Sequence, residues 1–554
     1  MASGSFLTNL YSGIFDTARL NGFQHPEPGP ETESIVQAFN ILSDKHPPSD
    51  LEKMGTLSGE ILNALKQIHF FGLSIPKEYG GVGLSLRQYL HVLEAVAARN
   101  LVLGFTATAH LSIGVKGIVL FGTDAQKEKY LPPAATGDMI FSYALTEPGT
   151  GSDAQNIETS ARLSEDGTYY LLNGTKTYIT NANFAGGMTV FAQLDPEKPG
   201  YMGAFIIETA WEGVEVGREM PKMGLKASST AMVKFKNVKV PRENLLGSPG
   251  DGFKIAMTIL NYGRMALGAA SVGVMKQSLN DMKHRAETRK QFGVPIYQFE
   301  LIQEKLVQAE MDSHITSAIT NFTADQLEQA PLLSVAVESS HCKLFGTTRA
   351  WDALYNVMQV AGGSGYLATH PYEQRLRDFR VTTIFEGTTE IHSMYPALSL
   401  LRTLGKEMHQ SGPGKFRQFL FLVKGSLSAL FIRRSWNISL QDRRMGRFLK
   451  FVKSTDRQIR FLLNIGLLLY GKNVSRKQFF LRKITMLSLY LYGTVAALAG
   501  MNARITARKD IFRDLALTTC FLEEARQYKK RNGFFSLKRK ERLNKRVIGL
   551  LDRP

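Results

Sequence analysis

The spacing of apolar residues changes twice along the chain, and this change constrains the fold more than any other feature. From about Glu31 to Gly137, apolar residues recur at helical spacing, as they do on one face of a helix. Between Phe141 and about Gly247 every second residue is apolar, with Asn-Gly and Gly-Gly turn signals between the runs. Helical spacing returns in long segments from Phe253 to Leu401. The sequence therefore predicts a mostly α fold with a central antiparallel β domain.

The chain is long enough for several domains. Its 554 residues correspond to three or four domains, at about 100 to 200 residues each. We expect an N-terminal helical domain at 31–140, a β domain at 141–250, a helical bundle at 251–405 and a C-terminal helical domain at 415–554. The Gly- and Pro-containing stretch from Ser411 to Lys415 is the predicted linker before the last of these.

The C-terminal domain is strongly basic. Residues 401–554 contain 34 Lys and Arg against 9 Asp and Glu, whereas the whole chain has a net charge of +18. The first 400 residues are therefore acidic, with a net charge of −7. This asymmetry predicts that the C-terminal domain contacts an anionic surface, and charge alone fits a membrane and a nucleic acid equally well.

Composition excludes several classes of protein. Hydrophobic residues make up 44% and charged residues 21% of the chain, so neither a disordered chain nor a polytopic membrane protein fits. Cys342 and Cys520 are far apart and lack metal-ligand spacing, so we expect neither a disulfide framework nor a metal site. The N-terminal residues show no secretory or import signal pattern. The uncharged run from Ile484 to Met501 reaches the lower length limit for a membrane span, but we predict a buried helix there.

A Gly-rich segment at the entry to the β domain is a candidate ligand loop. It runs from Tyr143 to Ala161 as YALTEPGTGSDAQNIETSA. It formally matches GxGxxG/A, but no buried strand precedes it and no βαβ unit surrounds it, so a Rossmann site is excluded. Its small residues permit close backbone approach, and Thr146 and Ser152 offer hydroxyl donors to a planar polar ligand. On its own, the segment also fits an ordinary Gly-rich turn.

Tyr178 and Thr180 lie two residues apart on a predicted strand, so their side chains share one face. An aromatic ring there could cover a planar ligand while the hydroxyl reaches the ligand's edge. Taken alone, this pattern indicates only a β-strand.

Glu386 is the candidate general base. It lies between the apolar ring of Phe385 and the conformationally free Gly387, as a partly desolvated carboxylate base requires. The same residues also fit a helix start, with Thr388 or Thr389 as the cap and an acid in the first turn. The two interpretations are compatible, because a helix N-terminus also suits a phosphate.

Together these segments resemble the acyl-CoA dehydrogenase family over roughly Glu31 to Leu401. LTEPGTGSD resembles the family's flavin-loop signature, and QVAGGSGYLATHPYEQRLRDFR resembles its second signature with the same spacing of Gln, Gly and Arg. Within the family the chain looks most like the very-long-chain branch, which adds a helical C-terminal domain of similar size. The segment from Ser475 to Gly500 resembles the central helix of that domain, which is why we predict its burial.

The resemblance implies a role for each matching residue. Glu386 would remove the α-proton of a fatty acyl-CoA thioester as a hydride leaves the β-carbon for FAD, and its backbone amide would help to polarise the thioester carbonyl. Residues that match those around the isoalloxazine and ribityl chain are Tyr143, Leu145, Thr146, Ser152, Tyr178 and Thr180. Residues that match those at the diphosphate and adenosine end, partly across a subunit interface, are Arg289, Phe292, Gln359, Gly363, Thr388 and Glu390. Residues that match positions next to the acyl-CoA are Ser152, Asn261, Arg264 and Gly387.

Three departures from the family pattern bear on specificity. Tyr178 stands where the family often has Trp, which preserves covering of the flavin ring but alters the surface offered to a redox partner. Gln291 replaces the Thr common in medium-chain members, and the very-long-chain branch also has Gln. The base of the acyl channel, at 106–109, has small residues instead of the bulky polar pair that closes the medium-chain pocket, which favours long acyl groups.

The resemblance also implies a reaction and partners. The reaction would be dehydrogenation of long- or very-long-chain acyl-CoA to trans-2-enoyl-CoA in fatty acid β-oxidation, with electrons passed to electron-transfer flavoprotein. A homodimer is expected, attached to an anionic membrane through a basic segment within Lys415 to Lys483, which has 17 Lys and Arg and two acids. We expect a cytoplasmic protein at the inner membrane face in a bacterium, or a mitochondrial inner-membrane protein if the chain is a processed eukaryotic one.

Two other functions fit the sequence. DNA-associated alkylation-response flavoproteins resemble this family and carry a basic C-terminal domain, although no aromatic-basic interleaving or helix-turn-helix pattern is evident here. One close relative is also an assembly chaperone of a respiratory complex, and intact catalytic residues do not exclude that role.

Overall fold

The computed structural model describes residues 4–412, 414–431, 436, 438 and 440–551. Part of the predicted linker (residue 413) and part of the predicted basic membrane segment (432–435, 437 and 439) therefore lie outside the described residues.

The chain before the sheet is helical, as its apolar spacing predicts. The α-helices are α1 (Phe6–Tyr11), α2 (Thr17–Gly22), α3 (Gly29–Lys45), α4 (Pro48–Met54), α5 (Gly59–Gln67), α6 (Leu86–Arg99), α7 (Leu101–Thr108), α8 (Lys116–Phe121) and α9 (Asp124–Thr136). A π-helical segment, Ala109–Gly114, joins α7 to α8. A capping box between Ser85 and Gln88 starts α6, because the side chain of each residue bonds the backbone amide of the other.

The central sheet is mostly antiparallel. Its strands are β1 (Ile140–Ala144), β2 (Ser160–Leu163), β3 (Tyr169–Thr180), β4 (Ala185–Gln193), β5 (Met202–Glu208), β6 (Val214–Val216), β7 (Thr230–Pro241) and β8 (Leu245–Gly250), in the order β6-β7-β3-β2-β4-β5-β8. The alternating side chains of Leu172, Val190, Phe205 and Val233 fill its core. Two pairings depart from the antiparallel prediction: β1 pairs with β4 in parallel, and β2 meets β4 in parallel at one residue pair. The Gly-rich loop between the end of β1 at Ala144 and the start of β2 at Ser160 is too long for a tight turn, and β1 does not form a hairpin with β2.

Long helices follow the sheet. The main ones are α10 (Gly252–Thr288), α11 (Glu300–Gln329) and α12 (Ala336–Ala361), then α13 (Gly363–Tyr366), α14 (Tyr372–Phe379) and α15 (Thr389–Gln410). A small hairpin of β9 (Lys290–Gln291) and β10 (Val294–Pro295) separates α10 from α11. The basic C-terminal part forms α16 (Lys415–Phe431), α17 (Gly446–Tyr470), α18 (Gln478–Thr506), α19 (Phe512–Arg531) and α20 (Phe534–Leu551).

The chain divides into two compact units. The main unit contains Pro26–Ser313 and Thr323–Thr388, and the C-terminal unit contains Met1–His25, His314–Phe322 and Thr389–Pro554. The C-terminal unit thus begins at α15, earlier than the predicted boundary at 415, and it also includes the N-terminal residues. Aromatic packing accounts for this, because Phe6, which is fully buried, lies edge-on to Phe322 with ring centroids 5.5 Å apart.

Two segments are long and apolar enough to cross a membrane by length and composition, Leu101–Phe121 and Gln478–Thr506. Inside the protein, 83% and 89% of their most apolar windows are buried. The second segment is α18, so the run from Ile484 to Met501 lies in a buried helix, as predicted. Ala397 donates its amide to the Thr485 hydroxyl, which ties α15 to this central helix.

Candidate active site

The backbone at Glu386 adopts an unusual conformation. Its φ is 54°, in the left-handed region, and the following Gly387 has a φ of 97°. A residue with a Cβ loses roughly 1–2 kcal/mol in this region, so surrounding contacts must hold Glu386 there. Backbone strain of this kind concentrates at functional sites.

The Glu386 carboxyl lies against the middle of α10. A Cβ atom on Gly263 would collide with Glu386 Oε2, so the absence of a side chain at 263 makes room for the carboxyl. Burial raises the pKa of Glu386 to about 7, although the positive charges of Arg264 and Lys343 act in the opposite direction. A carboxyl with this pKa titrates close to neutral pH, as a general base should.

Aromatic side chains surround the base. Phe385 packs edge-on against Phe105 of α7, with ring centroids 5.9 Å apart. Burial raises the pKa of Tyr143 well above its ordinary value, and the negative charge of Glu386 adds to the effect. Tyr89 of α6 is affected in the same way, and its hydroxyl lies 2.8 Å from the Ser112 hydroxyl. Helices α6, α7 and α10 and strand β1 therefore converge on one carboxyl.

Lys343 supports the strained turn from α12. Its side chain is fully buried, and Nζ donates a hydrogen bond to the Gly387 carbonyl at 2.5 Å. The same ammonium lowers the pKa of Glu386. Lys343 lies in a buried stretch of α12. No sequence motif identifies this lysine, and its position in the site is seen only in the structure.

For the reaction that the family resemblance implies, reduction of a flavin by acyl-CoA, we expect Lys343→Met to shift the pH dependence to higher pH. Reduction should rise with pH as Glu386 loses its proton, near pH 7 in the unaltered protein. Without the ammonium, the ionised carboxylate is less stable and its pKa rises further, so less base is present at neutral pH. Stopped-flow reduction rates across a pH series measure the midpoint.

Lys116→Met is the matched control for this experiment. Lys116 is also buried, and its ammonium lies over the Tyr262 ring at 5.0 Å from the centroid. Lys116 is not among the charges that shift the pKa of Glu386. The role of Lys343 would be wrong if its replacement left the midpoint unchanged, or if both variants moved it equally.

The Gly-rich loop after β1 is anchored by a buried ion pair. Lys176 of β3 lies 2.7 Å from Glu147, and both side chains are almost fully buried. Lys176 also donates to the Leu145 carbonyl at 3.1 Å, and the Thr177 amide donates to the Thr146 carbonyl at 2.9 Å. Beyond this anchor, Ser152 is exposed. The ion pair therefore holds the first residues of the loop and leaves its tip open.

An irregularity in β3 presents Tyr178 to solvent. The pairing of β3 with β7 shifts between Lys176 and Ile179, and Tyr178 has a φ of 58°. As a result the Tyr178 side chain is 68% exposed, while Thr180 is half-buried and pairs with Thr230. Both residues lie on the strand that carries Lys176, directly beside the anchored loop.

A second group of predicted residues lies at the far end of α10. Arg285 donates to the Ala361 carbonyl at 3.4 Å, so the C-terminal ends of α10 and α12 are adjacent. Arg289 and Phe292 follow the end of α10, Gln359 lies in the last turn of α12, and Gly363 begins α13. The Phe292 ring is 93% exposed.

The two groups are too far apart to line one pocket in a single chain. Arg264 lies beside Glu386, and the 25 residues of helix from Arg264 to Arg289 span about 38 Å.

The remaining predicted residues have defined positions. Asn261 and Arg264 are buried on α10, and Asn261 accepts a hydrogen bond from the Ser339 hydroxyl at 2.9 Å. Thr388 is half-buried after Gly387, and Glu390 is exposed in the first turn of α15. The structure thus brings Glu386, Gly387, Arg264 and Tyr143 together. The second group, Arg289, Phe292, Gln359 and Gly363 (the Arg289 group), lies elsewhere in the main unit.

The residues fit a flavin. A Cβ on Gly151 would meet no atom within 4 Å, so the loop backbone faces open space where a polar ring edge can approach. Aromatic rings and hydroxyls at Tyr143, Tyr178 and Thr180 stand next to this loop on β1 and β3. A buried carboxyl and a flavin cradle are together what the abstraction of a proton next to a carbonyl, coupled to hydride loss, requires.

Comparison with known proteins gives a consistent assignment. Three family models match consecutive parts of the chain: the acyl-CoA dehydrogenase N-terminal domain at 31–138, the middle domain at 142–238 and the C-terminal domain at 250–400. The mitochondrial very long-chain specific acyl-CoA dehydrogenase of Macaca fascicularis is 35% identical over 522 residues, which cover 91% of this chain and 80% of that protein.

Two solved structures show the same fold. An acyl-CoA dehydrogenase from Bacillus anthracis in complex with FAD matches with a TM-score of 0.81 and 29% identity, covering 96% of this chain and 91% of its own. Butyryl-CoA dehydrogenase from Megasphaera elsdenii matches with a TM-score of 0.65 and 30% identity, over 69% of this chain and 100% of its own. The match to the butyryl enzyme thus leaves 31% of this chain uncovered.

The fold and the site define a flavin-dependent dehydrogenase. The chain belongs to the acyl-CoA dehydrogenase family and is an FAD-dependent oxidoreductase that acts on CH–CH bonds of acyl-CoA.

Proposed function

We propose that this enzyme oxidises long- or very-long-chain fatty acyl-CoA to trans-2-enoyl-CoA in fatty acid β-oxidation, with electron-transfer flavoprotein as the acceptor. The observation that carries the proposal is the buried Glu386 carboxyl, whose pKa of about 7 suits a base, held beside an apolar helix. FAD supplies the hydride acceptor when bound. Glu386 removes the α-proton, and the Glu386 amide helps to polarise the thioester carbonyl.

The helix next to the base supports a long acyl chain. The expected channel residues, Thr106, Ala107, Thr108 and Ala109, lie at the end of α7 and the start of the π-helical segment, next to Phe105. A small gap beside Thr108 is lined by apolar and small residues: Leu93, Ala97, Leu101, Gly104, Phe105 and Ala270. Ala97, Gly104 and Ala270 are small, and the larger lining side chains are apolar, so movement of Leu93, Leu101 or Phe105 would open this gap to an alkyl chain.

Anaerobic bleaching of the flavin by acyl-CoAs of graded length tests cofactor, reaction and channel together. We expect the second-order rate constant of flavin reduction to rise from butyryl-CoA to palmitoyl-CoA. Burial of each added methylene contributes about 0.8 kcal/mol of favourable binding free energy. Thr108→Phe should block the gap and lower the rate with palmitoyl-CoA, while butyryl-CoA serves as the internal control. Fastest reduction by butyryl-CoA would contradict the proposed substrate class.

The exposed Tyr178 is the proposed contact for the electron acceptor. It lies on β3 beside the Gly-rich loop with its ring 68% exposed, so a partner protein can approach the edge of a bound flavin there. We expect electron-transfer flavoprotein to reoxidise the substrate-reduced enzyme rapidly, and Tyr178→Ala to slow this step more than reduction by acyl-CoA. Equal slowing of both steps would contradict this assignment.

A homodimer would unite the two groups of cofactor residues. Within one chain the Arg289 group lies about 38 Å along α10 from Arg264. A partner chain that places its own Arg289 and exposed Phe292 at the adenosine end of this chain's cofactor would complete the site. A monomer mass for the FAD-loaded protein in sedimentation velocity would contradict this arrangement.

Helix α16 supports attachment to an anionic membrane. Its exposed apolar side chains occupy one face roughly 120° wide. They are Phe416, Phe419, Leu420, Leu427, Leu430 and Phe431, with exposures from 37% to 78%. Basic residues Lys415, Arg417 and Lys424 lie on the same helix. An exposed apolar face with cations is typical of helices that lie in the membrane interface.

We expect the protein to sediment with liposomes that contain phosphatidylglycerol, and Phe416→Ser/Phe431→Ser to sediment several-fold less. Leu301→Ser is the matched control, because Leu301 is 74% exposed but lies on α11. Gel retardation of duplex DNA at the same salt concentration tests the competing function, which is DNA binding by the basic C-terminal domain. Tight, steeply salt-dependent DNA binding without liposome binding would overturn the membrane proposal.

A further inference from the structure

A cavity of about 480 Å³ lies in the C-terminal unit and includes none of the active-site residues. It is formed between the end of α17, the start of α18 and one face of α20. Its lining residues are Tyr470, Arg476, Lys477, Gln478, Phe479, Phe480, Leu537, Lys538, Glu541, Asn544, Lys545 and Ile548. Its volume lies within the range of about 300–1,000 Å³ that small-molecule sites occupy.

The floor of the cavity is apolar. Phe480 is 5% exposed and Leu537 is 8% exposed, and both line it. The Tyr470 ring packs edge-on against Phe480 with ring centroids 5.7 Å apart. Helix α20 contributes a single face, because its lining residues recur at helical spacing from Leu537 to Ile548. A purely polar ligand would leave the apolar side chains of the floor in contact with water. An alkyl chain would cover them, so it is the better occupant.

The rim of the cavity is cationic. Four basic side chains line it, Arg476, Lys477, Lys538 and Lys545, against the single carboxylate of Glu541. Glu541 lies 2.8 Å from Lys477 and 3.2 Å from Lys545, which keeps these cations at the rim. The positive charges exceed the negative by three, so the rim suits an anionic group.

Helix α20 also exposes apolar side chains outside the cavity face. Leu543 and Val547 are 51% and 54% exposed, and Ile548 of the cavity lining is 57% exposed. Basic residues interleave with them in the sequence KRKERLNKRVI. This combination is typical of a helix at the boundary between water and lipid.

We infer that this cavity binds one molecule of an anionic membrane lipid, with an alkyl chain over Phe480 and Leu537 and the anionic headgroup among Arg476, Lys477 and Lys538. This inference does not depend on the membrane contact proposed for α16, because the cavity lies on other helices and recognises a single molecule. It also does not depend on the dehydrogenation, because no residue of the cavity belongs to the active site.

The test uses dodecyl phosphate below its aggregation concentration as the probe, with dodecanol and inorganic phosphate as its two halves. Calorimetry on the FAD-loaded full-length protein should give a Kd for dodecyl phosphate at least tenfold below that of either half. Arg476→Gln/Lys538→Gln removes two exposed cations and should raise the Kd about tenfold or more. Arg546→Gln, on the opposite face of α20, should leave the Kd within twofold.

Leu537→Trp fills the floor and should abolish binding of dodecyl phosphate. If that variant does not fold, the exposed-charge variant decides the question alone. Equal binding of inorganic phosphate would reduce the site to a simple anion site, and equal binding of dodecanol would reduce it to an apolar cleft; either result overturns the inference.

The acyl-CoA channel is the alternative location for the probe, and the flavin distinguishes it. Binding that perturbs the flavin spectrum and is unchanged in both cavity variants would place the probe in the channel and overturn the inference. Flavin reduction by acyl-CoA should be unchanged in the cavity variants. Failure of the lipid site and failure of the proposed dehydrogenation would therefore appear in different measurements.

Discussion

Glu386→Gln is expected to lower the rate of flavin reduction by acyl-CoA by about 10²- to 10⁴-fold while FAD remains bound. Glutamine keeps the size and shape of the side chain but cannot accept the α-proton. The strained backbone at Glu386 and the space made by Gly263 hold the side chain against α10, so the amide should occupy the same position. If flavin reduction slows while the yellow FAD stays bound, the loss is due to the missing proton acceptor at Glu386 and not to loss of the cofactor.

A second measurement isolates proton removal from electron transfer. Exchange of the α-hydrogen of a non-oxidisable acyl-CoA analogue with deuterated solvent needs the base but no net oxidation. We expect this exchange in the unaltered enzyme and its loss in Glu386→Gln. Rapid exchange or normal reduction by the variant would show that another group is the base.

Asp378→Asn is the matched control for the base. Burial raises the pKa of Asp378 to about 6, so it is another carboxyl with a raised pKa. Asp378 accepts a hydrogen bond from the Leu225 amide at 2.5 Å, and asparagine can accept it as well. We expect this variant to reduce its flavin within a few-fold of the normal rate. A raised pKa alone does not make a base, because the group must also face the substrate.

The fold was largely predictable because local spacing determines which face of each element is buried. The switch from helical to alternating spacing near Phe141 marks the start of β1 at Ile140, and the return near Phe253 marks α10. The parallel pairing of β1 with β4 was not predictable in this way, since alternation along a strand does not reveal its partner. The packing of Phe6 on Phe322 likewise joins residues that no local pattern connects.

The candidate site was predictable in part. Glu386, Arg264 and the Gly-rich loop stand in recognisable motifs. The structure places Arg264 next to the Glu386 carboxyl. Lys343 and Tyr89 were missed, because a buried lysine or tyrosine inside a helix has the same local pattern as an amphipathic surface position. Only the tertiary packing of α6 and α12 shows that they face the base.

Lys176→Met should be among the most destabilising single substitutions in the β domain, with a loss of about 3–5 kcal/mol in the free energy of unfolding. The Lys176 side chain is fully buried and lies 2.7 Å from Glu147. Removing the ammonium leaves the Glu147 carboxylate buried without its counter-charge, which costs much more than losing a surface pair. Urea denaturation followed by circular dichroism measures the loss.

The effect should reach the flavin, because the same pair anchors the ligand loop. Glu147 accepts hydrogen bonds from the Glu158 amide at 2.5 Å and the Thr159 amide at 2.9 Å, and Lys176 donates to the Leu145 carbonyl. These bonds tie both ends of the loop to β3. We therefore expect the variant to release FAD more readily than the unaltered protein, as measured by flavin fluorescence after gel filtration.

A double-mutant cycle separates the ion pair from the hydrogen bonds. The Glu158 and Thr159 amides donate to different oxygens of Glu147, so Glu147→Gln removes the charge and keeps an acceptor for only one of them. Because the double variant has no buried carboxylate without a counter-charge, Lys176→Met/Glu147→Gln should be less destabilised than Lys176→Met alone. The exposed pair Lys236–Glu215, at 2.6 Å, is the control, and Lys236→Met should cost no more than about 1 kcal/mol. If Lys176→Met and Lys236→Met proved equally mild, burial would not be what makes the Lys176–Glu147 pair essential to the loop.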